Sequence, residues 1–255
     1  LRHLDPFLLL DHFGSDNPED YGAGFPDHPH RGFITLTYML DGHMLHRDSL
    51  GNRGDLRSGG AQWMKAASGV IHSEMPQQTN GLMRGFQLWI NLPASEKLSD
   101  PAYQEFPPAA IPEFRLDNLR VKVLCGTYGK VQGPIEDPHT QVQYLDVEIP
   151  PGGHFTHHLP RDHAAFVYPF SGQLEIESQQ VRPHELGVLG EGEELWLGST
   201  GGARFLLVAG RPLGEPIVQA GPFVMNSREE IEQAYADYKG GRLVRSRARF
   251  HAPSA

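Results

Sequence analysis

The chain has 255 residues and a net charge of −9 at pH 7, with 39% hydrophobic and 21% charged residues. This composition excludes an intrinsically disordered chain and predicts one large β domain or two smaller ones. Acidic charge without a lysine or arginine block argues against direct nucleic-acid binding, which needs a basic patch. The apolar runs, such as that at 7–10, are too short to span a membrane.

The cysteine content bears on the compartment. Cys125 is the single cysteine, so an intrachain disulfide cannot form. Proteins without disulfides fit a reducing compartment, and we therefore predict a cytoplasmic protein. Because Cys125 follows an apolar run at 121–124, we expect a buried, inert thiol rather than a nucleophile.

Short β-prone runs separated by turn residues dominate the chain. The 29 glycines and 21 prolines fall largely between these runs and mark turns. Many short strands with frequent turns predict an all-β sandwich or barrel. The predicted strands are 33–40, 62–65, 83–91, 120–125, 141–149, 165–170, 173–177, 194–197 and 204–208.

Two peptides each offer a pair of metal-binding side chains two residues apart, His-Pro-His at 28–30 and His-Ser-Glu at 72–74. On a strand such side chains point to the same face, because the side-chain period is two. If the two strands are neighbours in a barrel, three imidazoles and one carboxylate converge. Isolated pairs of this kind are more often surface or hydrogen-bonded residues, so it is the combination that predicts a redox-active divalent metal.

The later part of the chain supplies a link and a helix. The segment 104–113 contains three prolines and is predicted to join two domains, 1–112 and 113–255. A helix is predicted from the capping box at 227–230 to the glycine pair at 240–241. Its apolar stripe, which we expect to dock on a barrel, consists of Ile231, Ala234, Tyr235 and Tyr238.

The two halves of the chain are weakly similar to each other. Residues 37–42 resemble 167–172, which aligns Tyr38 with Tyr168 and places His28 opposite His158. Trp63 and Trp196 lie at similar distances beyond these segments and give a second anchor. With these anchors the second half keeps at most one of the four ligands, so metal is expected only in the first half.

Longer stretches resemble known families. Peptides 22–30 and 67–72 resemble the two metal motifs of the cupin superfamily, with Ala67 where the second motif usually has proline. The combined pattern, which runs through essentially the whole chain, is similar to that of the pirin family. The peptides that carry this resemblance are RHLDPFLLLDHFG (2–14), FPDHPHRGFITLTYMLDG (25–42), QWMKAASGVIHSEMP (62–76) and GPFVMNSREEIEQAYADYKGGR (221–242).

The resemblance implies a fold and a metal site. Pirins are bicupins, with two jelly-roll barrels face to face and metal only in the N-terminal barrel. It implies an N-terminal metal-binding barrel at 1–112, and a metal-free barrel with the C-terminal helix at 113–255. Iron(II) is the implied metal, although zinc, nickel, copper or manganese would also suit the donors. The implied ligands are His28, His30, His72 and Glu74.

The resemblance also implies an activity, because several bacterial pirins are credited with quercetin 2,3-dioxygenase activity. The expected partners are then a small aromatic substrate, such as a flavonol, and dioxygen. Glu74 would take the proton of the flavonol 3-hydroxyl as a general base. Phe33, Met64 and Met75, which lie beside the ligands in sequence, are predicted to belong to the barrel core, with a place in the wall of an apolar pocket as the alternative.

An alternative function belongs to another class. Pirins include regulators that bind a transcription factor or a metabolic enzyme, with iron as a redox sensor. A pocket deep enough for a three-ring substrate favours the enzyme, whereas a closed site under a flat basic surface favours the regulator. A metal-dependent isomerase of the cupin type is a third alternative, without a residue pattern of its own to support it.

One residue departs from the family pattern. Ile34 stands where pirins commonly have glutamate. That glutamate is not the carboxylate ligand of the metal in pirins, so the four-ligand set remains intact. We expect the change to affect the pocket wall or the surroundings of the ligands, and with them the choice of substrate.

Overall fold

Strands make up nearly all the regular structure of residues 3–251, which this computed structural model describes. The chain divides into two units, one formed by Leu1–Ala110 with Leu213–Ala255 and the other by Ile111–Pro212. The division at residue 110 falls inside the predicted link 104–113. Residues 1–2 and 252–255, which the sequence analysis included in its domains and in one motif, lie outside the described residues. No helix within 3–251 is long and apolar enough to cross a membrane.

The first unit begins with nine strands and a short helix. Their bounds are β1 Phe7–Ser15, α1 Pro18–Tyr21, β2 Phe25–His30, β3 Phe33–Asp41, β4 His43–Asp48, β5 Arg53–Arg57, β6 Ala61–Lys65, β7 Val70–Pro76, β8 Met83–Asn91 and β9 Ala102–Phe106, with 3-10 turns at Ala94–Glu96 and Pro108–Ala110. One sheet has the order β1-β8-β3-β6-β9 and the other β2-β7-β4-β5. This alternation of strands between two sheets is that of a jelly roll. Leu36, Phe86 and Leu88 on the central strands are fully buried.

The second unit contains twelve strands. Their bounds are β10 Glu113–Leu116, β11 Leu119–Cys125, β12 Thr127–Tyr128, β13 Val131–Gln132, β14 Gln143–Ile149, β15 Gly153–His158, β16 Ala164–Gly172, β17 Leu174–Ile176, β18 Gln179–Val181, β19 Gly187–Val188, β20 Glu194–Ser199 and β21 Ala203–Gly210. The main sheets have the orders β10-β11-β14-β21-β16-β19 and β15-β20-β17-β18, and β12 pairs with β13. All nine strands predicted from sequence are present in the two units, with ends shifted by at most two residues.

The two units repeat one strand order, because β1–β8 correspond to β14–β21 in both sheets. The predicted alignment of Tyr38 with Tyr168 agrees with this, since they lie on β3 and β16. The alignment of Trp63 with Trp196 is wrong. Trp63 lies on β6, whose counterpart is β19, whereas Trp196 lies on β20. In the second unit β19 has only two residues. A residue at the same sequence distance from the first anchor therefore falls on the next strand, β20.

The C-terminal segment completes the first unit. Its elements are β22 Val218–Ala220, β23 Phe223–Met225, α2 Arg228–Lys239 and β24 Arg249–His251. β24 pairs in parallel with β9 and so extends the first sheet. Phe223 forms a β-bridge with Arg31, next to β2. The described part of this segment, 213–251, groups with the first unit, whereas the predicted second domain, 113–255, included it.

Helix α2 begins and ends as predicted. Ser227 Oγ accepts a hydrogen bond from the Glu230 backbone N–H, and the Glu230 carboxylate accepts one from the Ser227 N–H. This reciprocal pair is the predicted capping box, and Gly240 follows the last helical residue.

Removing the cap should cost stability. We expect Ser227→Ala to lower the free energy of unfolding by about 1 kcal/mol, because the Glu230 N–H then loses its acceptor. Urea denaturation followed by circular dichroism measures this difference. Ser227→Thr keeps a hydroxyl at the cap and serves as the control. Equal stability of the alanine variant and the wild type would contradict the capping role.

The buried face of α2 differs from the predicted stripe. Ile231 and Ala234 are buried as expected, but Asp237 takes the third buried position. Tyr235 and Tyr238 are 36% and 39% exposed instead. An acidic residue is tolerated there because its carboxylate pairs with the buried guanidinium of Arg31 at 2.9 Å.

Candidate metal centre

The strand register brings the two predicted peptides together. In the antiparallel pair β2/β7, His28 lies directly opposite His72. On the other side of β7, β4 places His46 directly opposite Glu74. Residues two apart share a face, so His30 points the same way as His28 and Glu74 the same way as His72. The predicted condition that the two strands be neighbours is therefore met.

The side chains converge in two overlapping groups. The candidate ligand atoms of His28, His30 and His72 lie within 4.8 Å of one another, and so do those of His46, His72 and Glu74. Ring centroids in the first group are 4.3 to 5.0 Å apart. His72 belongs to both groups. The structure thus gathers the four predicted residues and adds His46, which the sequence analysis did not identify.

Several ring nitrogens in this cluster are buried without a hydrogen-bond partner. Both nitrogens of His30 and Nε2 of His72 are in this condition. His28 Nδ1 lies 2.8 Å from the Pro26 carbonyl oxygen, which can only accept, so Nδ1 carries the proton and Nε2 keeps its lone pair. Buried polar atoms are rarely left unpaired in native proteins, and a metal would satisfy these. The donors fit a divalent transition metal.

Burial favours the neutral form of the imidazoles of His30, His46 and His72. Removal from water lowers the pKa of His30 to about 3 and that of His46 to about 4, and lowers the pKa of His72 well below its usual value. Mutual repulsion within the cluster acts in the same direction. A neutral imidazole has a free lone pair, and this is the form that binds a metal.

Glu74 is held by a glutamine whose orientation is fixed. Gln87 Nε2 donates to both carboxylate oxygens of Glu74, at 3.4 and 3.1 Å. Trp89 Nε1–H donates to Gln87 Oε1 at 3.0 Å, so the amide must turn its nitrogen toward the carboxylate. Burial raises the pKa of Glu74 to about 7, and hydrogen bonds from Gln87 and Thr37 act in the opposite direction. Gln87 and Trp89 lie on β8 and were not predicted.

His46 has both ring nitrogens occupied. Its Nδ1 lies 3.3 Å from His72 Nδ1, and its Nε2 lies 3.3 Å from the Tyr103 hydroxyl oxygen. It therefore contacts the cluster while its own lone pair is in use. Asp48 stands two positions after His46, so the i, i+2 spacing was present here as well, although it was not used to predict a site.

A cavity of about 340 Å³ opens beside the cluster, and His28, His30 and Glu74 form part of its wall. The remaining wall is mostly apolar and comes largely from β1 and β8. These lining residues are Leu9, Leu10, Asp11, Phe13, Phe25, Met44, Gln87 and Trp89. Phe25 and Leu9 are 45% and 39% exposed, so they stand where the cavity meets solvent.

Phe33, Met64 and Met75 are not among the lining residues of this cavity, and the first two are buried, as the core prediction required. Phe33 sits behind the wall, with its ring centroid 5.1 Å from that of His30 and 4.3 Å from that of Trp89. Met64 is almost fully buried in a separate cluster, and Met75 follows the inward-facing Glu74 and so points to the other face of β7. Ile34 is fully buried and is not among the lining residues, which contradicts an effect on the pocket wall itself.

The corresponding place in the second unit is apolar. There Phe155 on β15 lies opposite Leu197 on β20, and both side chains are fully buried in the core. The predicted counterpart of His28 was His158, but His158 points outward and pairs with Glu194. The alignment was displaced onto the other face of the strand. Both candidate ligand groups found within residues 3–251 lie in the first unit.

Comparison with known proteins shows the family. The family model described as Pirin matches residues 1–90, and that described as Pirin C-terminal cupin domain matches residues 144–244. A Pseudomonas aeruginosa protein, provisionally named a quercetin 2,3-dioxygenase, is 51% identical over 251 residues, which are 95% of this chain and 88% of that protein. A pirin-like protein of Caulobacter vibrioides is 46% identical over 94% of this chain and 88% of its own length.

A solved structure shares the fold. The crystal structure of quercetin 2,3-dioxygenase from Acinetobacter baumannii matches with a TM-score of 0.89 and 33% identity, over 94% of this chain and 86% of that one. The two jelly-roll units and the C-terminal helix confirm the predicted all-β bicupin class. This chain belongs to the pirin family.

Proposed function

We propose that this protein is an iron-dependent dioxygenase that opens a flavonol such as quercetin. The proposed ligands of the metal are His28, His30, His72 and Glu74. The observation that carries the proposal is the cavity of about 340 Å³ with candidate metal ligands in its wall. Relatives that bear the name quercetin 2,3-dioxygenase support the same reaction class.

The cavity suits a flat aromatic molecule. Small-molecule sites commonly have volumes of about 300 to 1,000 Å³, with apolar walls and a few polar groups. Here Phe13, Phe25 and Trp89 offer ring faces and edges, and Leu9 and Met44 offer aliphatic contacts. These side chains would exclude water from the rings of a bound flavonol. The proposed partners are therefore a small aromatic substrate and dioxygen.

Glu74 and Gln87 have separate roles in the proposed reaction. Glu74 accepts the proton of the substrate 3-hydroxyl, because it is the carboxylate that lines the cavity beside the imidazoles. Gln87 holds that carboxylate in place through its two hydrogen bonds. When bound, the metal supplies Lewis acidity and the capacity to react with dioxygen. Zinc, nickel, copper or manganese would fit the same donors. The cytoplasmic location remains a prediction.

The regulatory alternative predicts a different surface. A redox sensor read by a partner protein needs no room for a three-ring substrate next to the metal. The cavity, with Phe25 and Leu9 exposed at its opening, favours the enzyme over the sensor.

The decisive experiment follows the loss of quercetin absorbance with iron-loaded protein in air. We expect turnover that requires both iron and oxygen, and none in metal-stripped protein or under argon. Fully iron-loaded protein that leaves quercetin unchanged would contradict the flavonol substrate and would favour the regulator.

The role of Glu74 can be tested separately. We expect Glu74→Gln to lower kcat on quercetin by about 100-fold or more, since general bases commonly contribute that much. Asp11→Asn is the matched control, because Asp11 is the other carboxylate of the cavity wall. Metal content is measured for both variants, so that loss of the base is separated from loss of the metal. Normal kcat in Glu74→Gln would refute the assignment.

A further inference from the structure

A chain of hydrogen bonds leads away from Nδ1 of His72, the ring nitrogen other than its unpaired Nε2. His72 Nδ1 lies 3.3 Å from His46 Nδ1, and His46 Nε2 lies 3.3 Å from the Tyr103 hydroxyl oxygen. The Tyr103 hydroxyl lies 3.1 Å from Asp48 Oδ2. His46 and Tyr103 are 2% and 0% exposed, so water does not compete for the two bonds made by His46, whereas the bond from Tyr103 to Asp48 is partly buried. None of the four residues lines the cavity.

The direction of every bond in this chain follows from its far end. The Asp48 carboxylate can only accept, and it also receives the backbone N–H groups of Leu50 and Asn52 and the Asn52 side-chain amide. Tyr103 must therefore donate its one hydroxyl proton to Asp48. The Tyr103 oxygen then accepts from His46, which places the His46 proton on Nε2.

The same logic continues to His72. With its proton on Nε2, the neutral imidazole of His46 offers an Nδ1 lone pair, and this pairs only with an N–H on His72 Nδ1. Nε2 of His72 then keeps its lone pair, and Nε2 is the nitrogen that is buried without a partner. We propose that Asp48, Tyr103 and His46 are positioning residues that fix the tautomer and ring orientation of His72, so that Nε2 is presented for metal binding.

This inference explains why His46 is close to the cluster but is not a proposed ligand. Both nitrogens of His46 are used within this series of hydrogen bonds. His28 reaches the tautomer proposed for His72, with the proton on Nδ1, through the Pro26 carbonyl oxygen. Outer partners of metal-binding histidines set ring orientation in this way and commonly change metal affinity by about 10 to 100-fold. The inference rests on His72 binding metal in the proposed function, but the tautomer itself is a property of the metal-free protein.

The first test reads the tautomer directly. Long-range ¹H–¹⁵N spectra of the metal-free protein distinguish a protonated from an unprotonated nitrogen in each imidazole ring, and His72→Gln assigns the His72 signals. We expect His72 to carry its proton on Nδ1 and His46 to carry its proton on Nε2. A His72 proton on Nε2 in the wild type would overturn the proposal without any variant.

The second test reverses the direction of the hydrogen bonds between residue 48 and His72. In Asp48→Asn the amide oxygen can keep the backbone N–H groups of Leu50 and Asn52, which turns the amide nitrogen toward Tyr103. Tyr103 then donates to His46, His46 donates to His72, and the His72 proton moves to Nε2. Tyr103→Phe removes the hydroxyl altogether and should give a mixture of tautomers.

Metal affinity supplies an independent readout. We expect zinc binding, measured by competition with a chromophoric chelator, to weaken by about 10 to 100-fold in Asp48→Asn and Tyr103→Phe. Asp55→Asn is the matched control, because Asp55 lies on β5, pairs with His43 of β4, and takes no part in the hydrogen bonds that link Asp48 to His72. Wild-type affinity in both variants would refute the positioning role while leaving the proposed ligands intact. The expected tautomer in a protein that binds no metal would instead refute the proposed metal site.

Discussion

Alanine in place of His72 is expected to abolish stoichiometric binding of a divalent metal. His72 is the one residue shared by both groups of converging donor atoms, and its Nε2 is buried without another partner. Because outer partners alone change affinity by about 10 to 100-fold, removal of this ligand should weaken binding by more than about 100-fold. Equilibrium dialysis against zinc or iron, with metal measured by mass spectrometry, gives the stoichiometry.

The control for this variant is His158→Ala. His158 is the residue that sequence alone aligned with His28, and in the structure it is exposed and paired with Glu194. It should retain one full equivalent of metal, and its melting temperature should match that of the wild type. Retention of a full equivalent by His72→Ala would contradict the proposed ligand set, whatever the substrate is.

The second large effect is expected from Asp237→Asn. Arg31 follows His30, is 1% exposed, and donates to Asp237 at 2.9 Å. Without the carboxylate, the guanidinium faces only uncharged acceptors, which are the new amide oxygen and the carbonyl oxygens of Ser68 and Leu243. A buried charge left without its counter-ion costs about 3 to 5 kcal/mol. We therefore expect the free energy of unfolding of the first unit to fall by about that amount.

The measurement needs a signal from the first unit alone. Of the three tryptophans, Trp63 and Trp89 lie in that unit, whereas Trp196 lies in the other. Urea denaturation of metal-free protein in a Trp196→Phe background, followed by fluorescence, therefore reports on the relevant transition. Glu232→Gln, which breaks the exposed pair with Arg228 on the same helix, should cost less than about 0.5 kcal/mol. Equal losses in the two variants would contradict a special role for the buried pair.

The effect should depend on pH with a defined sign. Burial acts to raise the pKa of Asp237, but hydrogen bonds from Arg31, Gln233 and Arg245 outweigh it and hold the pKa below its ordinary value of 3.8. A carboxylate whose pKa is lowered by folding stabilises the protein above its unfolded pKa and loses that contribution as the pH falls through its folded pKa. The stability difference between wild type and Asp237→Asn should therefore be full at pH 6 and should shrink below about pH 4.

Much of the candidate site could be predicted from local sequence patterns. The i, i+2 spacing of His28 with His30 and of His72 with Glu74 requires only that each peptide be a strand, because the side-chain period then places each pair on one face. The capping box at Ser227 is equally local, and so are the short strands bounded by glycine and proline. These features depend on neighbours within about four residues, so no knowledge of the fold is needed to see them.

Other features depended on which strands lie side by side. His46 joins the cluster because β4 pairs with β7, and Gln87 reaches Glu74 from β8 in the other sheet. The cavity wall came largely from β1 and β8 rather than from the residues next to the ligands in sequence. Contacts of this kind are set by register and by sheet packing over long sequence separations, and a shift of one residue reverses the face of every side chain.

The sequence by itself determined the all-β class, the strands, the helix with its cap, the family and the four candidate ligands. Tertiary structure decided that the C-terminal segment groups with the first unit, that Asp237 rather than Tyr235 is buried on α2, and that His46 contacts His72. The physical reason is the sequence separation over which each interaction acts. Backbone periodicity and helix capping involve residues close in sequence, whereas burial and hydrogen-bond direction in the core depend on strands that only folding brings together.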